Sequence, residues 1–217
     1  MRCKEKMKKI ALIGVGGINS WVAKHLFDIL KIFEKQEMIY VKLFDKDEVE
    51  EKNLKRLNQN FEIHELMKQK AVTLGNKYKF DFEVCLITEE NINEKLQQFD
   101  DIIVGVDNHK TRRLLYKYCL ENQKYLIDMR AQGTQMSFYI LDNKKDIKYY
   151  DETMFKDKNL MEKKGSCQLQ ADIENDHIEN GNKIIAYFVV YGIYFKHLRG
   201  EIPAMNEWRI AYSNENR

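Results

Sequence analysis

Residues 9–17, KIALIGVGG, place a short apolar run directly before three closely spaced glycines. An apolar run of this length that ends in glycine is typical of a buried strand in a parallel sheet. Glycine at this point lets the backbone approach a phosphate and turn into a helix, whose N-terminus offers free N–H groups. We therefore predict a strand at 10–13 and a nucleotide-phosphate loop at Gly14, Gly16 and Gly17, with Asn19 as a further donor. The alternative is a tight strand-to-helix turn without a ligand.

The sequence on either side of this loop alternates between strand and helix patterns. Short apolar runs that end at glycine or aspartate favour strands, and apolar residues repeated every three or four positions favour helices. Together they predict the α/β fold class: a Rossmann-like, mostly parallel sheet flanked by helices. The predicted strands are 10–13, 39–44, 82–87, 102–106 and 125–128, and the predicted helices are 18–33, 63–78 and 111–121.

The C-terminal part of the chain does not continue this alternation of strands and helices. Residues 136–141 alternate like a strand with one wet face and 208–212 form a last short strand, so antiparallel strands are expected there. Residues 183–198 are apolar and aromatic and predict a buried helix, with an interface as the alternative. The polar segment 142–182 shows no regular pattern, and we expect a mobile crossover. The whole chain, 1–217, is predicted to be one domain with a nucleotide-binding core at about 8–135 and a closing helix and strand at about 183–212.

Two aspartates stand at the ends of predicted strands. Asp45 follows the strand at 39–44, where a carboxylate can accept hydrogen bonds from both ribose hydroxyls. Asp107 follows the strand at 102–106, and ligands of open parallel sheets bind beyond the carboxyl ends of the strands. Both should therefore face one crevice with the glycine loop. This set suits NAD, FAD, S-adenosylmethionine or ATP; alternatively, Asp45 is a surface aspartate in the charged run 45–48.

Basic and polar residues between these strands favour ATP. Asn53 and Arg56 lie three residues apart, on one face of a helix, and Lys70 begins a helical stretch. Arg112 follows Asp107 by five residues. An arginine, a lysine and a second carboxylate near a phosphate loop suit a triphosphate with Mg²⁺, whereas hydride transfer needs no such surplus of charge. Taken singly, each of these residues could be a solvated surface charge.

This ordered set of motifs, which covers residues 8 to about 135, resembles the ThiF/MoeB/HesA family of the E1-like (ubiquitin-activating-enzyme-like) adenylyltransferases. The resemblance implies that ATP activates a carboxylate as an acyl-adenylate with release of pyrophosphate. In the family, the carboxylate usually belongs to the C-terminal glycine of a ubiquitin-like or sulfur-carrier protein. The matching segments are GVGGINS at 14–20, DKDEVE at 45–50, NLKR at 53–56, KA at 70–71 and DN at 107–108 with Arg112.

The resemblance also implies roles for individual residues. Gly16 and Gly17 would cradle the phosphates, Asp45 would hold the ribose, and Asp107 would coordinate Mg²⁺. Arg56 and Lys70 would stabilise charge on the departing pyrophosphate. The nucleotide-binding set is Gly14, Gly16, Gly17, Asn19, Asp45, Asp47, Asn53, Arg56, Lys70, Asp107, Asn108 and Arg112, and the catalytic set is Arg56, Lys70, Asp107 and Cys167.

The chain departs from the family pattern at several points. The family has a glutamine directly after the arginine, whereas Leu57 stands there and Gln59 follows two residues later. The CxxC pairs of many members are absent, so no zinc is expected. Cys167 lies in the polar segment where members that form a thioester or persulfide carry their cysteine, and Lys163 and Lys164 would favour its thiolate. The alternative for Cys167 is an incidental thiol.

The composition of the chain indicates which classes of binding partner to expect. The formal net charge of +2 and the absence of a basic stripe do not indicate nucleic acid as the main partner. No stretch approaches 18 apolar residues and no secretory signal is visible, so we expect a cytoplasmic protein without membrane spans. The resemblance implies a homodimer and a small ubiquitin-like or sulfur-carrier partner protein.

Two other functions stay open at this point. One is an E1-like enzyme that adenylates a small molecule, a peptide or a tRNA base. The other is a Rossmann enzyme that binds NAD or S-adenosylmethionine, or a catalytically inactive interaction module of the same fold.

Overall fold

The computed structural model describes residues 7–32, 39–54, 59–132, 135–141, 181–200 and 207–211. In these ranges, strands and helices alternate through the first five strands. In chain order the elements are β1 (Lys8–Ile13), α1 (Gly17–Ile32), β2 (Ile39–Phe44), α2 (Glu51–Leu54), a 3-10 turn (Ile63–Glu65), α3 (Lys70–Tyr78), β3 (Asp81–Glu83), α4 (Ile92–Leu96), β4 (Asp101–Val104), α5 (His109–Glu121), β5 (Tyr125–Gln132), β6 (Gln135–Leu141), α6 (Gly181–Tyr187), a π-helix (Phe188–Tyr194), α7 (Phe195–Leu198) and β7 (Glu207–Ala211).

The described strands form one sheet in the order β3-β2-β1-β4-β5-β6-β7. The pairs from β3 to β5 are parallel, and β6 and β7 are added antiparallel to their neighbours. The strand order steps outward from β1 to β2 and β3 on one side, and from β4 to β5 on the other. The predicted fold class, a mostly parallel Rossmann-like sheet with antiparallel strands in the C-terminal part, is confirmed.

The two faces of the sheet carry separate cores because side chains alternate along each strand. Ile10 and Leu12 of β1 point to the face covered by α1, α3 and α6. Ala11 and Ile13 point to the opposite face, covered by α4 and α5. Residues 10–13 of β1 are buried on both faces of the sheet, which explains why this part of the strand is a continuous apolar run rather than an alternating one.

The closing helix runs without interruption from α6 through the π-helix to α7, so the predicted helix at 183–198 is confirmed and begins two residues earlier. Ile185, Val189 and Val190 are fully buried against the α1 face. The aromatic residues of this helix differ in exposure, since Tyr194 is fully buried whereas Tyr187 is 56% exposed. The helix is therefore mainly a core element with one exposed aromatic edge.

Several predicted elements differ from the structure, and the strand expected over 125–128, for example, continues to Gln132. The helix expected over 63–78 is a 3-10 turn followed by the shorter α3, because Met67 adopts a left-handed backbone with φ of 63°, through which a right-handed helix cannot continue. The strand expected over 82–87 ends at Glu83. Segment 142–180, including Cys167, lies outside the described residues. Among the described helices, none is long and apolar enough to cross a membrane.

Candidate functional site

A cavity of about 500 Å³ opens at the carboxyl ends of β1, β2 and β4. This is the edge of the sheet at which the sequence places its aspartates. The cavity gathers most of the predicted nucleotide-binding residues: Gly14, Gly16, Gly17, Asp45, Asp47, Asn53, Lys70, Asp107, Asn108 and Arg112. Asn19 does not line it, and Arg56 and Cys167 lie outside the described residues.

The glycine loop joins β1 to α1 at the floor of this cavity. Gly14 has φ of +73°, and a Cβ there would lie 2.7 Å from Val106 Cγ1, so both conformation and space require glycine. A Cβ at Gly16 would meet only Gln59 Oε1, at 3.6 Å, which is an ordinary van der Waals distance, so this position is not closely packed. The loop thus leads into the N-terminus of α1 with backbone exposed to the cavity, as a phosphate site requires.

Asp45 fixes the shape of the loop. Its Oδ2 accepts a hydrogen bond of 2.7 Å from Val15 N, and its Oδ1 accepts one of 2.8 Å from Asp47 N. Burial raises the pKa of this carboxyl, and the Asp47 N–H bond and the Lys70 charge oppose that shift. Since each oxygen has a second lone pair, an ionised Asp45 can still accept hydrogen bonds from the two hydroxyls of a ribose.

Lys70 and Asn53 also line the cavity. Lys70 is the first residue of α3, is only 7% exposed, and donates its backbone N–H to Asp47 O at 2.9 Å. Asn53 is buried, and its Oδ1 accepts from Glu50 N at 2.7 Å, which holds the turn into α2. Lys70 therefore supplies a positive charge to the cavity, while the carbonyl of Asn53 is engaged and its amide remains for a ligand.

Asp107 and Asn108 lie between β4 and α5. Asn108 caps α5, because its Oδ1 accepts from Thr111 N at 2.8 Å. Asp107 is exposed and lines the cavity. Within the described ranges, no group of three or more His, Cys, Asp or Glu side chains could hold a metal by itself. A single carboxylate still fits Mg²⁺, which usually takes one or two protein carboxylates and completes its shell with waters and phosphates.

Arg112, a predicted nucleotide ligand, lines the cavity and is also bound within the protein. Its guanidinium forms an ion pair with Asp128 and donates to Met129 O at 3.0 Å and to Val106 O. Asp128 is fully buried and also accepts from Arg130 Nη2 at 2.7 Å. Arg112 therefore ties the turn before Asp107 to β5. Asp128 was not predicted as part of the site, although a lone aspartate inside the apolar run YLIDM indicates a buried ion pair.

Asn19, also a predicted nucleotide-binding residue, lies behind the glycine loop and is not among the residues that line the cavity. Its side chain is fully buried, and its Nδ2 donates to Ile13 O at 3.2 Å and to Ile103 O at 3.1 Å. It therefore joins the ends of β1 and β4 behind the glycine loop. Gly105 is required beside it, since a Cβ there would lie 2.7 Å from Asn19 Cγ. The residue supports the phosphate loop and does not reach the ligand space.

Two carboxamides that the sequence analysis did not place in the site flank the glycines. Gln59 lines the cavity beside Gly16, two positions after the place where the family pattern has its glutamine. Asn182, from α6, lines the cavity beside Gly17, and no signal in the sequence connects it to a loop so distant along the chain. Phe44, Leu86 and Ile87 add an apolar wall of the kind that a purine base needs.

Comparisons with known proteins agree with this fold. The model of the ThiF family matches residues 4–194 of the sequence. No curated protein matches the sequence. Solved structures that resemble this one include PaaA, with a TM-score of 0.66 and 15% identity over 97% of this chain and 71% of that chain.

Escherichia coli MccB, solved with ATP, has a TM-score of 0.67 and 16% identity over 99% of this chain and 63% of that chain. TcdA (CsdL) has a TM-score of 0.51 and 18% identity over 60% of this chain and 54% of that chain. MccB has also been solved with MccA. At these identities the likeness shows the fold, and this chain spans less than two thirds of the length of MccB and TcdA.

Proposed function

Since this chain belongs to the ThiF family of E1-like adenylyltransferases, we propose that it uses ATP to activate a carboxylate as an acyl-adenylate. We further propose that the carboxylate is the C-terminal glycine of a small ubiquitin-like or sulfur-carrier protein. The observation that carries the proposal is the meeting of the glycine loop, Asp45, Lys70 and Asp107 in one cavity at the carboxyl ends of the parallel strands.

The placement of these groups suits a triphosphate. An adenine base against Phe44 and Leu86 would put the ribose near Asp45 and the phosphates near the N-terminus of α1. The helix N-terminus and Lys70 then supply positive charge at the phosphates. Hydride transfer to or from a dinucleotide would require neither Lys70 nor Asp107, whereas ATP with Mg²⁺ would interact with both. The site therefore fits ATP better than a dinucleotide.

The reaction requires positioning and charge stabilisation, and no nucleophile from the protein. A carboxylate oxygen of the substrate attacks the α-phosphorus, a new phosphorus–oxygen bond forms, and the bond to the pyrophosphate oxygen breaks. Lys70 stabilises the negative charge that moves onto the departing pyrophosphate. Asp107 is the residue that would hold Mg²⁺, and bound Mg²⁺ neutralises charge on the phosphates.

Two catalytic predictions concern residues outside the described ranges. We propose that Arg56 binds the phosphates beside Lys70, since it follows the buried Asn53 by three positions. We propose that the Cys167 thiolate attacks the carbonyl carbon of the acyl-adenylate, so that a thioester forms, the bond to the AMP phosphate oxygen breaks and AMP leaves. Homodimerisation stays a prediction from the resemblance, and a cytoplasmic location stays a prediction from the sequence.

The nature of the acyl substrate rests on the family resemblance and on one neighbour. MccB, which shares the fold, has been solved together with MccA. The alternatives are a small molecule, a peptide or a tRNA base as the group adenylated. A carrier protein that ends in glycine and an unrelated carboxylic acid of low mass are therefore the two substrates to compare.

An ATP–pyrophosphate exchange assay tests the proposal. With candidate carrier proteins present, labelled pyrophosphate should enter ATP in a Mg²⁺-dependent manner. The Lys70→Ala and Asp107→Asn variants should each lower the exchange rate by about 10²- to 10³-fold, because each removes charge stabilisation from a water-poor site.

The matched controls are Lys117→Ala and Glu121→Gln, which change exposed charges on α5 away from the cavity. Both should exchange like the wild-type protein. The proposal fails if ATP does not bind, or if Lys70→Ala and Asp107→Asn exchange at the wild-type rate. Binding of NAD without dependence on Mg²⁺ would favour the dinucleotide alternative.

A further inference from the structure

Asn182 brings the C-terminal helix to the glycine loop. It is the second residue of α6 and is only 4% exposed. Its Nδ2 lies 3.0 Å from the position that a Cβ on Gly17 would occupy, and it lines the same cavity as Lys70. A carboxamide therefore stands directly beside the N-terminus of α1.

The helix that carries Asn182 is held firmly along its length. Lys183 Nζ lies 5.2 Å above the ring of Trp21 on α1, and Ile185 and Ala186 are fully buried. At the far end of the same helix, Tyr194 OH donates to Asp101 Oδ2 at 2.6 Å. Asn182 is thus placed by a rigid element rather than by a loop, as a side chain that binds a ligand precisely should be.

The chemistry of the position favours an anion. The first N–H groups of a helix lack partners within the helix, and α1 begins at Gly17, next to Asn182. A carboxamide adds N–H donors to that N-terminus. It adds no positive charge, which would slow the release of pyrophosphate. We infer that Asn182 binds the phosphates of the nucleotide. This inference rests on the proposed function, because it assigns a further residue to the same ATP site.

A purely structural role would predict a different result. If Asn182 only fills space beside Gly17, its replacement should disturb every ligand of the cavity equally. If it binds phosphate, the effect should depend on the number of phosphates in the ligand. ATP and adenosine therefore separate the two roles, since they share the base and the ribose.

The test is the binding of ATP and of adenosine to the full chain by titration calorimetry, for the wild-type protein and for Asn182→Asp. The variant keeps the shape of the side chain and places a carboxylate beside the phosphates. We expect ATP to bind about tenfold more weakly or worse, and adenosine to bind as in the wild type. Asn182→Ala, which removes the donor without adding charge, should weaken ATP binding by about three- to tenfold.

Asn122→Asp is the matched control, because Asn122 lies on the surface after α5 and does not line the cavity. It should bind ATP like the wild type. The inference is overturned if Asn182→Asp binds ATP with the wild-type affinity, or if it loses ATP and adenosine to the same degree. A wild-type protein that binds no ATP would instead refute the proposed function, so the two failures are distinguishable.

Discussion

Asp128 shows how a residue without ligand contact can set the geometry of the site. It is fully buried, forms an ion pair with Arg112 and accepts from Arg130 Nε at 3.1 Å. Arg112 in turn donates to Val106 O, directly before Asp107. The carboxylate that we propose for Mg²⁺ is therefore positioned through a buried ion pair between β5 and α5.

Replacement of Asp128 should cost stability. In Asp128→Asn, Arg112 remains buried without its opposite charge, and breaking a buried pair from one side costs about 3 kcal/mol or more. Urea unfolding should show this loss in the free energy of unfolding.

The control is Arg130→Gln, since Arg130 is partly exposed and its loss leaves the Arg112–Asp128 pair intact. We expect a clearly smaller change for this variant. A free energy of unfolding for Asp128→Asn within about 0.5 kcal/mol of the wild type, the range of a typical surface substitution, would contradict the importance of the pair.

At the scale of elements, the closing helix makes specific contacts at both of its ends: Lys183 with Trp21, and Tyr194 with Asp101. Its far end meets Asp101 at the start of β4, whose Oδ1 also lies 3.0 Å from Lys8 Nζ and whose Oδ2 lies 3.3 Å from His197 Nε2. Burial raises the pKa of Tyr194 well above its ordinary value, and the neighbouring Asp101 adds to the shift. Tyr194 therefore stays a neutral donor to this carboxylate.

Tyr194→Phe should weaken the attachment of the closing helix to β4. The variant keeps the ring and removes one hydrogen bond to a charged group, which is worth about 2 kcal/mol. Thermal unfolding should show the loss, and hydrogen exchange should show faster exchange of the amides of the π-helix and α7. Tyr187→Phe, at the exposed edge of the same helix, serves as the control and should change neither. Equal melting of both variants would show that Asp101 does not hold the helix.

The elements themselves were largely predictable. Buried parallel strands and amphipathic helices have local periods, and β1, α1, β2 and α5 appear within one or two residues of their predicted bounds. The predicted helix at 63–78 was wrong in its first half, since apolar spacing does not show the left-handed backbone at Met67. Met67 N donates to Val49 O at 2.9 Å, a contact with a distant segment that a local pattern does not contain.

At the scale of the whole molecule, one buried histidine links stability to pH. His25 is on α1 and contacts the closing helix, with its ring 5.5 Å from that of Tyr187 and 5.6 Å from that of Tyr191. Burial lowers the pKa of His25 to about 4, and the nearby charge of Lys24 adds to the shift, while Asp28 opposes it. The folded protein therefore disfavours the protonated ring.

Stability should fall as the pH is lowered from about 6.5 to about 4. In this interval an unfolded histidine, with a pKa near 6.5, binds a proton that the folded His25 does not bind, so protonation favours unfolding. The free energy of unfolding at pH 7 and pH 5 should show this dependence, and His25→Gln should make it shallower. His64→Gln, which changes an exposed histidine, should leave the dependence as it is; a slope unchanged by His25→Gln would contradict the assignment.

The sequence by itself determined the order of strands and helices, the glycine loop, and the two aspartates at the strand ends, because these features are periodic or lie within one turn. The tertiary structure alone decided which polar residues face the ligand. Asn19 donates to backbone carbonyls behind the glycine loop and does not line the cavity, whereas Asn182, which is distant from that loop along the chain, does line it. Such contacts depend on which atoms from distant parts of the chain each side chain meets. A local sequence pattern does not contain this information.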